Sequence, residues 1–237
     1  MNLPEIGVWE LAFTLVPVLV VIAIFLRWKL PVKDLLIATI RMLVQLLLIG
    51  FLLVYLFKQD EWWLGLALMS FMLLVSGWIS MRPLKHKSRQ HFIQLSISLL
   101  VGCGMILVLI LLAVLKLEPW YQPRYVIPLA GMLLANTMNG LSLAGERFDS
   151  ELQQDKPLID ARNIAFNTSM IPQINSLLAV GLVALPGMMT GQILSGVSPL
   201  IAVRYQIVIM AAILCSAAFS VALYLVMRVK EIAATKR

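Results

Sequence analysis

The sequence predicts an all-α integral membrane protein with about seven transmembrane helices, its N-terminus outside and its C-terminus cytoplasmic. Three observations carry that prediction. First, 61% of the 237 residues are hydrophobic and only 13% are charged, with a mean hydropathy of +0.92. An ordinary globular domain is about 45–50% apolar and roughly 25% charged. Second, the apolar residues fall into runs near the ~20 residues that a helix needs to cross a bilayer. Third, the basic residues are distributed unevenly between alternate connections.

The first span covers residues 8–26, carries Pro17 and is bordered by Trp9 and Trp28, as an interfacial aromatic belt requires. No Lys or Arg precedes it, which argues against a cleaved signal peptide. The second covers 35–57 and contains one charge, Arg41; the third covers 62–81 and opens on Trp62 and Trp63. The fourth and fifth cover 92–115 and 125–144. A polar segment, 145–162, follows with five acids and three basic residues, and a solvated loop is the simplest reading of it.

From Asn163 to Val203 no residue is charged over 41 positions. That is about 60 Å if wholly helical, barely two crossings. We therefore place a sixth span over 163–185, a bend over 186–199 and a seventh span over 200–227. Fourteen of the 19 basic residues then fall on the inside, and the positive-inside rule favours this count. An eighth span would put the basic tail, with Lys236 and Arg237, outside. No repeat or soluble domain is evident, so residues 1–237 read as a single transmembrane domain.

The stretch 177–201, LLAVGLVALPGMMTGQILSGVSPLI, organises the rest. It is uncharged yet interrupted by four glycines, two prolines and Gln192. Proline removes a backbone donor and glycine permits close backbone approach. Irregular backbone at membrane depth survives only inside protein or beside a wet cavity. Pro186, Gly187, Gly191, Gly196 and Pro199 thus mark a hinge or packing point, and Gly187-x-x-x-Gly191 has the small-xxx-small spacing of tight helix contacts. Simple packing or dimerisation through those glycines is one reading. A gate whose Met188, Met189 and Gln192 face a permeant is the other.

Further polar residues lie inside apolar runs. Arg41 and Gln45 are four apart and share a helix face, with Arg41 about 9 Å beyond the inner start of its span. Arg41 either snorkels to the inner headgroups or lines a translocation path, and Gln45 favours the path. Asn136 and Asn139 are either interhelical hydrogen-bonding groups or substrate contacts. The sixth span opens on Asn163, Asn167, Thr168, Ser169, Gln173, Asn175 and Ser176, which suits burial against other helices or a wet cavity better than lipid. Pro172 is expected to kink it.

Several chemistries are excluded. No lysine follows a glycine, so there is no P-loop, and ATP hydrolysis is not expected of this chain. Cys103 and Cys215 lie in apolar runs without disulfide or zinc spacing. His86 and His91 sit in a basic inside loop and read as solvated. Catalytic residues and a cofactor are not indicated, and no metal-ligating constellation can be assigned. The net charge of +7 reports topology rather than nucleic-acid binding.

The string from Val180 to Pro199, followed by Ala202-Val203-Arg204-Tyr205-Gln206, resembles the FetB (YbbM-like) permease family, which includes bacterial iron-export subunits and plant aluminium-tolerance proteins. Arg41-x-x-x-Gln45, the Ile127–Met132 segment IPLAGM, Asn136, Asp160-Ala161-Arg162 and Ile171-Pro172 match as well. The resemblance implies the permease subunit of an ABC-type transporter in the bacterial inner membrane, paired with a separate ATPase subunit. It also implies export of iron or another metal. On this reading the chain forms a homodimer in which Arg41, Gln45, Asn136, Asn139, Met188, Met189 and Gln192 line the path. Glu146, Arg147, Asp160 and Arg162 are then the candidates for ATPase coupling, at the two ends of a segment (148–160) shorter than its counterpart in the family. An ATP-independent carrier or channel is the alternative, though it usually needs a carboxylate at depth. A non-transporting membrane scaffold is another.

Overall fold

A computed structural model of the chain describes residues 7–56, 62–85, 87–119 and 121–235. His86, Lys236 and Arg237 lie outside the described residues, as do Phe57 and Lys58. By internal contacts the chain divides into two units, Met1–Gln59 and Asp60–Arg237.

The first unit holds α1 (Val8–Phe13), α2 (Leu15–Arg27) and α3 (Val32–Leu56). The break between α1 and α2 falls at Thr14, whose hydroxyl donates to the Leu11 carbonyl at 2.6 Å. A hydroxyl that bonds back to the preceding turn competes with the helix ladder. The predicted first span is therefore one apolar element with a notch. Large apolar side chains such as Leu19, Val20, Leu47 and Phe51 point outward around α2 and α3. That pattern suits a hydrocarbon environment and no aqueous one.

The second unit contains α4 (Trp62–Ser80), α5 (Arg89–Leu109), α6 (Pro123–Leu152), α7 (Leu158–Ala179), α8 (Gly187–Leu194) and α9 (Pro199–Thr235). A π-helical turn, Ile110–Val114, extends α5. Among the described residues there is no strand, only an isolated bridge between Val180 and Ala184. The longest helix, α9, has 37 residues and so runs about 55 Å, well beyond the ~30 Å hydrocarbon layer. It packs against α5, α6, α7 and α8, and α4 closes on α5 and α6. The core holds Leu95 and Leu99 from α5, Leu133, Leu141 and Phe148 from α6, and Val221, Tyr224 and Leu225 from α9.

Small residues set the helix spacing. A Cβ on Gly102 of α5 would lie 2.0 Å from Ser220 Oγ and 3.1 Å from the Ser216 carbonyl of α9. Gly140 of α6 faces Ala217 and Val221 of α9 at ordinary contact distance. Such contacts let backbones close in where no hydrophobic force separates protein from lipid. By contrast, a Cβ on Gly187 or Gly191 would meet nothing within 4 Å.

Six helices among the described residues are long and apolar enough to cross a membrane: Trp9–Arg27, Val32–Leu56, Trp62–Ser80, Arg89–Val114, Pro123–Leu152 and Pro199–Ala234. The multi-helix membrane architecture expected from composition is thus present. The remaining predicted span, α7, is a helix of 22 residues, but its asparagines keep it too polar for the same class.

The α6 boundary and the burial of His91 differ from expectation. Residues 145–152, expected as solvated loop, continue α6, because Ala144 and Phe148 repeat at i, i+4 and stay fully buried. Only 153–157 form the turn, with Asp155 at φ 57°. His91, expected in solvent, is buried in the first turn of α5, and its backbone N–H donates to Ser88 Oγ at 3.1 Å.

Candidate functional site

The uncharged bend between α7 and α9 is built from two left-handed glycines and a helical turn between them. The sixth predicted span ends at Ala179, six residues early, because Gly181 adopts φ +82° and its N–H donates to the Ala184 carbonyl at 3.0 Å. Pro186, extended at φ −62° and ψ 143°, then precedes α8. Gly196 at φ +92° closes that helix, and Pro199 begins α9. A left-handed φ carries no Cβ penalty at glycine. Gly181 was not singled out by sequence, although the hinge residues around it were.

The candidate path residues occupy separate places. Arg41 and Gln45 lie on α3 of the first unit, Arg41 half-buried and Gln45 exposed. Asn136 of α6 is half-buried, and its Nδ2 donates to the Met132 carbonyl of its own helix at 2.9 Å rather than to a neighbour. Asn139 is exposed and lines a cavity of about 350 Å³ with Pro83, Ser142 and Glu146. The two methionines of α8 diverge. Met188 lines a small cavity with Tyr125, Pro128 and Tyr205, whereas Met189 lines a groove of about 500 Å³ with Leu177, Gly181, Gln206 and Met210.

Two amide oxygens in this region lack a donor. Gln192 Oε1 and Gln206 Oε1 are enclosed without a hydrogen-bond partner among the described residues. An unmade hydrogen bond at a buried acceptor costs about 1–3 kcal/mol. The helical period of α9 places Gln206 beside Met210, but nothing in the sequence indicates that it is buried.

The candidates for ATPase coupling form a second group. Arg147 pairs with buried Glu151 at 2.5 Å, the i, i+4 spacing on α6. Glu146 and Asp160 remain exposed. Arg162 donates from Nη2 to Asn163 Oδ1 at 2.9 Å and lines a cavity of about 400 Å³ with Phe166, Asn167 and Ala222. Lys85 Nζ donates to Gln153 Oε1 at 2.5 Å, joining the α4–α5 connection to the α6–α7 turn.

Sequence reasoning missed a buried polar cluster beside this group. Gln94 of α5 and Arg228 and Glu231 of α9 are hydrogen-bonded together. Deeper in the unit, Thr137 Oγ1 of α6 donates to Ser216 Oγ of α9 at 3.1 Å. The partners are far apart in the chain, so no local pattern could have joined them. Among the described residues, no three His, Cys, Asp or Glu side chains come together as a metal site.

The model of UPF0014, an uncharacterised protein family, matches residues 8–162 and 158–232, so the match breaks at the start of α7. The probable iron export permease protein FetB of Escherichia coli is 33% identical over 246 aligned positions, covering 96% of this chain and 93% of that protein. The UPF0014 membrane protein YjkA of Bacillus subtilis is 36% identical over 231, covering 89% and 90%. Protein ALUMINUM SENSITIVE 3 of Arabidopsis thaliana is 32% identical over 221, covering 86% and 79%. No solved structure matches the chain. With the family model spanning nearly its whole length and relatives at 33% and 36% identity covering 96% and 89% of it, the chain belongs to the UPF0014 family of membrane proteins.

Proposed function

We propose that the chain is the membrane permease subunit of an ABC-type transporter in the bacterial inner membrane, working as a homodimer with a separate ATPase subunit to export iron or another metal. The observation that carries this reading is its likeness, over 96% of its length, to a probable iron export permease. The uncharged, glycine-broken segment between α7 and α9 supports it, since such a segment is tolerated at depth only where it lines a cavity or packs on protein. Both units act as one permease domain. Arg41, Gln45, Asn136, Asn139, Met188, Met189 and Gln192 contribute to the path, and the bend at Pro186, Gly187, Gly191, Gly196 and Pro199 moves during alternating access. Exposed Glu146 and Asp160, with Arg147 and Arg162, receive the ATPase.

The test is purification of the tagged chain from its host, followed by transport in everted membrane vesicles. A P-loop ATPase should co-purify, and iron should accumulate in the vesicles only when ATP is added. Accumulation without ATP would establish the carrier reading instead. No accumulation of iron or of other divalent metals, and no bound ATPase, would leave a scaffold.

A further inference from the structure

Helices α6 and α9 pack side by side, and three contacts fix their register. Thr137 Oγ1 donates to Ser216 Oγ at 3.1 Å. A Cβ on Gly140 would lie 3.5 Å from Val221 and 3.9 Å from Ala217, and one on Gly145 would lie 3.1 Å from the Tyr224 hydroxyl. The contact positions rise together along both helices, so the two are parallel. The first and third contacts each join residues 79 positions apart, and the second straddles that separation. One turn further along, at i+4 on each helix, the same register sets Asp149 of α6 opposite Arg228 of α9. Both flank Tyr224: Arg228 donates a hydrogen bond to its hydroxyl, and Asp149 lies within electrostatic reach of it.

Opposite charges thus stand at matching positions, yet they are not paired. Arg228 donates from Nη1 to Glu231 of its own helix, and its Nε is enclosed without a partner. Asp149 Oδ2 is likewise enclosed without a hydrogen-bond donor among the described residues. Leaving a buried polar atom unsatisfied is costly, most of all on a charged group. A guanidinium carries five N–H donors in a planar fork that fits a carboxylate. A single fixed pairing leaves a donor and an acceptor unmade at facing positions; two alternative pairings of one guanidinium use both.

We propose that Arg228 exchanges partners, holding Glu231 in this conformation and Asp149 of α6 in a second one, and thereby transmits movement of the end of α6 to α9. The exchange stands on the helix register; its part in transport rests on the permease reading above. Glu146 and Arg147 precede Asp149 within one turn of α6, so an ATPase bound there displaces the segment that carries Asp149. Helix α9 in turn packs on α8, within the glycine-broken bend. When Arg228 leaves, Glu231 keeps the hydrogen bond from Gln94 Nε2. The buried guanidinium has a counter-charge in both arrangements, which avoids the large cost of stranding it. The two states are then close enough in free energy for a partner's differential binding to choose between them.

The experiment compares thermal unfolding of the full chain in detergent across single and double variants. Asp149→Asn alone should leave Tm unchanged or raise it, because Asp149 is unpaired in this conformation. Added to Glu231→Gln, it should roughly double the fall that Glu231→Gln shows alone, since Arg228 then has neither carboxylate. An equal effect of Asp149→Asn in both backgrounds would overturn the exchange. So would a fall from Asp149→Asn alone as large as that from Glu231→Gln, which would make Asp149 a fixed partner. For the transmitting role, Asp149→Asn should cut ATP-driven iron uptake into everted vesicles about tenfold, with the ATPase still co-purifying, and Asp149→Glu should restore most of it. Normal uptake by Asp149→Asn would overturn that role. Failure of the parent chain to take up metal would count against the permease reading instead, and the Tm comparison would still decide the exchange.

Discussion

Gln94 Nε2, in the first turns of α5, donates to Glu231 Oε2 near the end of α9 at 3.0 Å. The same carboxylate oxygen accepts from Arg228, whose side chain is buried. One carboxylate therefore fastens the end of the longest helix to its neighbour and neutralises a buried guanidinium. Glu231→Gln keeps the shape and removes the charge, leaving Arg228 without its counter-charge. Removing one member of a buried pair is costly, whereas replacing both by apolar groups is nearly neutral. Partial exposure of Glu231 moderates the loss to about 2 kcal/mol, or a fall in Tm of roughly 4–8 °C. Thermal unfolding in detergent should show that fall for Glu231→Gln and recovery in Arg228→Met/Glu231→Leu. An unchanged Tm in the single variant would remove the cluster from the stabilising interactions.

At Gly102 the backbone of α5 approaches α9 closely. The glycine's missing Cβ would lie 3.0 Å from the Ser220 backbone N as well as 2.0 Å from the movable Ser220 Oγ. Gly102→Ala should cost about 1–3 kcal/mol by overpacking. Trimming the hydroxyl with Ser220→Ala should restore only part of this, because the backbone contacts persist. Gly187→Ala meets open space and should leave the unfolding temperature of the isolated chain unchanged. Equal effects at the two glycines would contradict the packing described here.

Asn136→Leu and Gln192→Leu separate pathway roles from structural ones. The Asn136 amide is satisfied within α6, and the Gln192 oxygen is satisfied by nothing among the described residues. Neither substitution breaks an interhelical bond seen in the chain, so membrane insertion and detergent stability should stay near those of the parent. ATP-driven metal uptake into everted vesicles should be lost in both. Full uptake by either variant would take that residue out of the path.

The asymmetry of basic residues between alternate connections predicts a cytoplasmic C-terminal tail. A reporter fused after Arg237 should be active only if it is a cytoplasmic one, and one inserted between Ser195 and Pro199 should respond only from the periplasm. Reversal of both results would change the number of crossings by one, the outcome expected if α7 lay at the membrane surface.

The sequence by itself determined the membrane class, the positions of the long helices and the site of the interruption. Each depends on local properties: apolar run length, the missing N–H of Pro186 and Pro199, and the absence of charge from Asn163 to Val203. Tertiary structure decided what those properties leave free. Residues 145–152 read as loop because their charges suit solvent, yet Phe148 is buried and keeps α6 helical to Leu152. Gln94 and Glu231 stand 137 positions apart, and only the side-by-side packing of α5 and α9 brings them together. The same holds for the asparagines of α7: their spacing is written in the chain, but which of them its neighbours cover depends on how α6 and α9 pack against it. Hydropathy and backbone constraints act over a few residues, whereas burial of a polar group is a property of the assembled bundle.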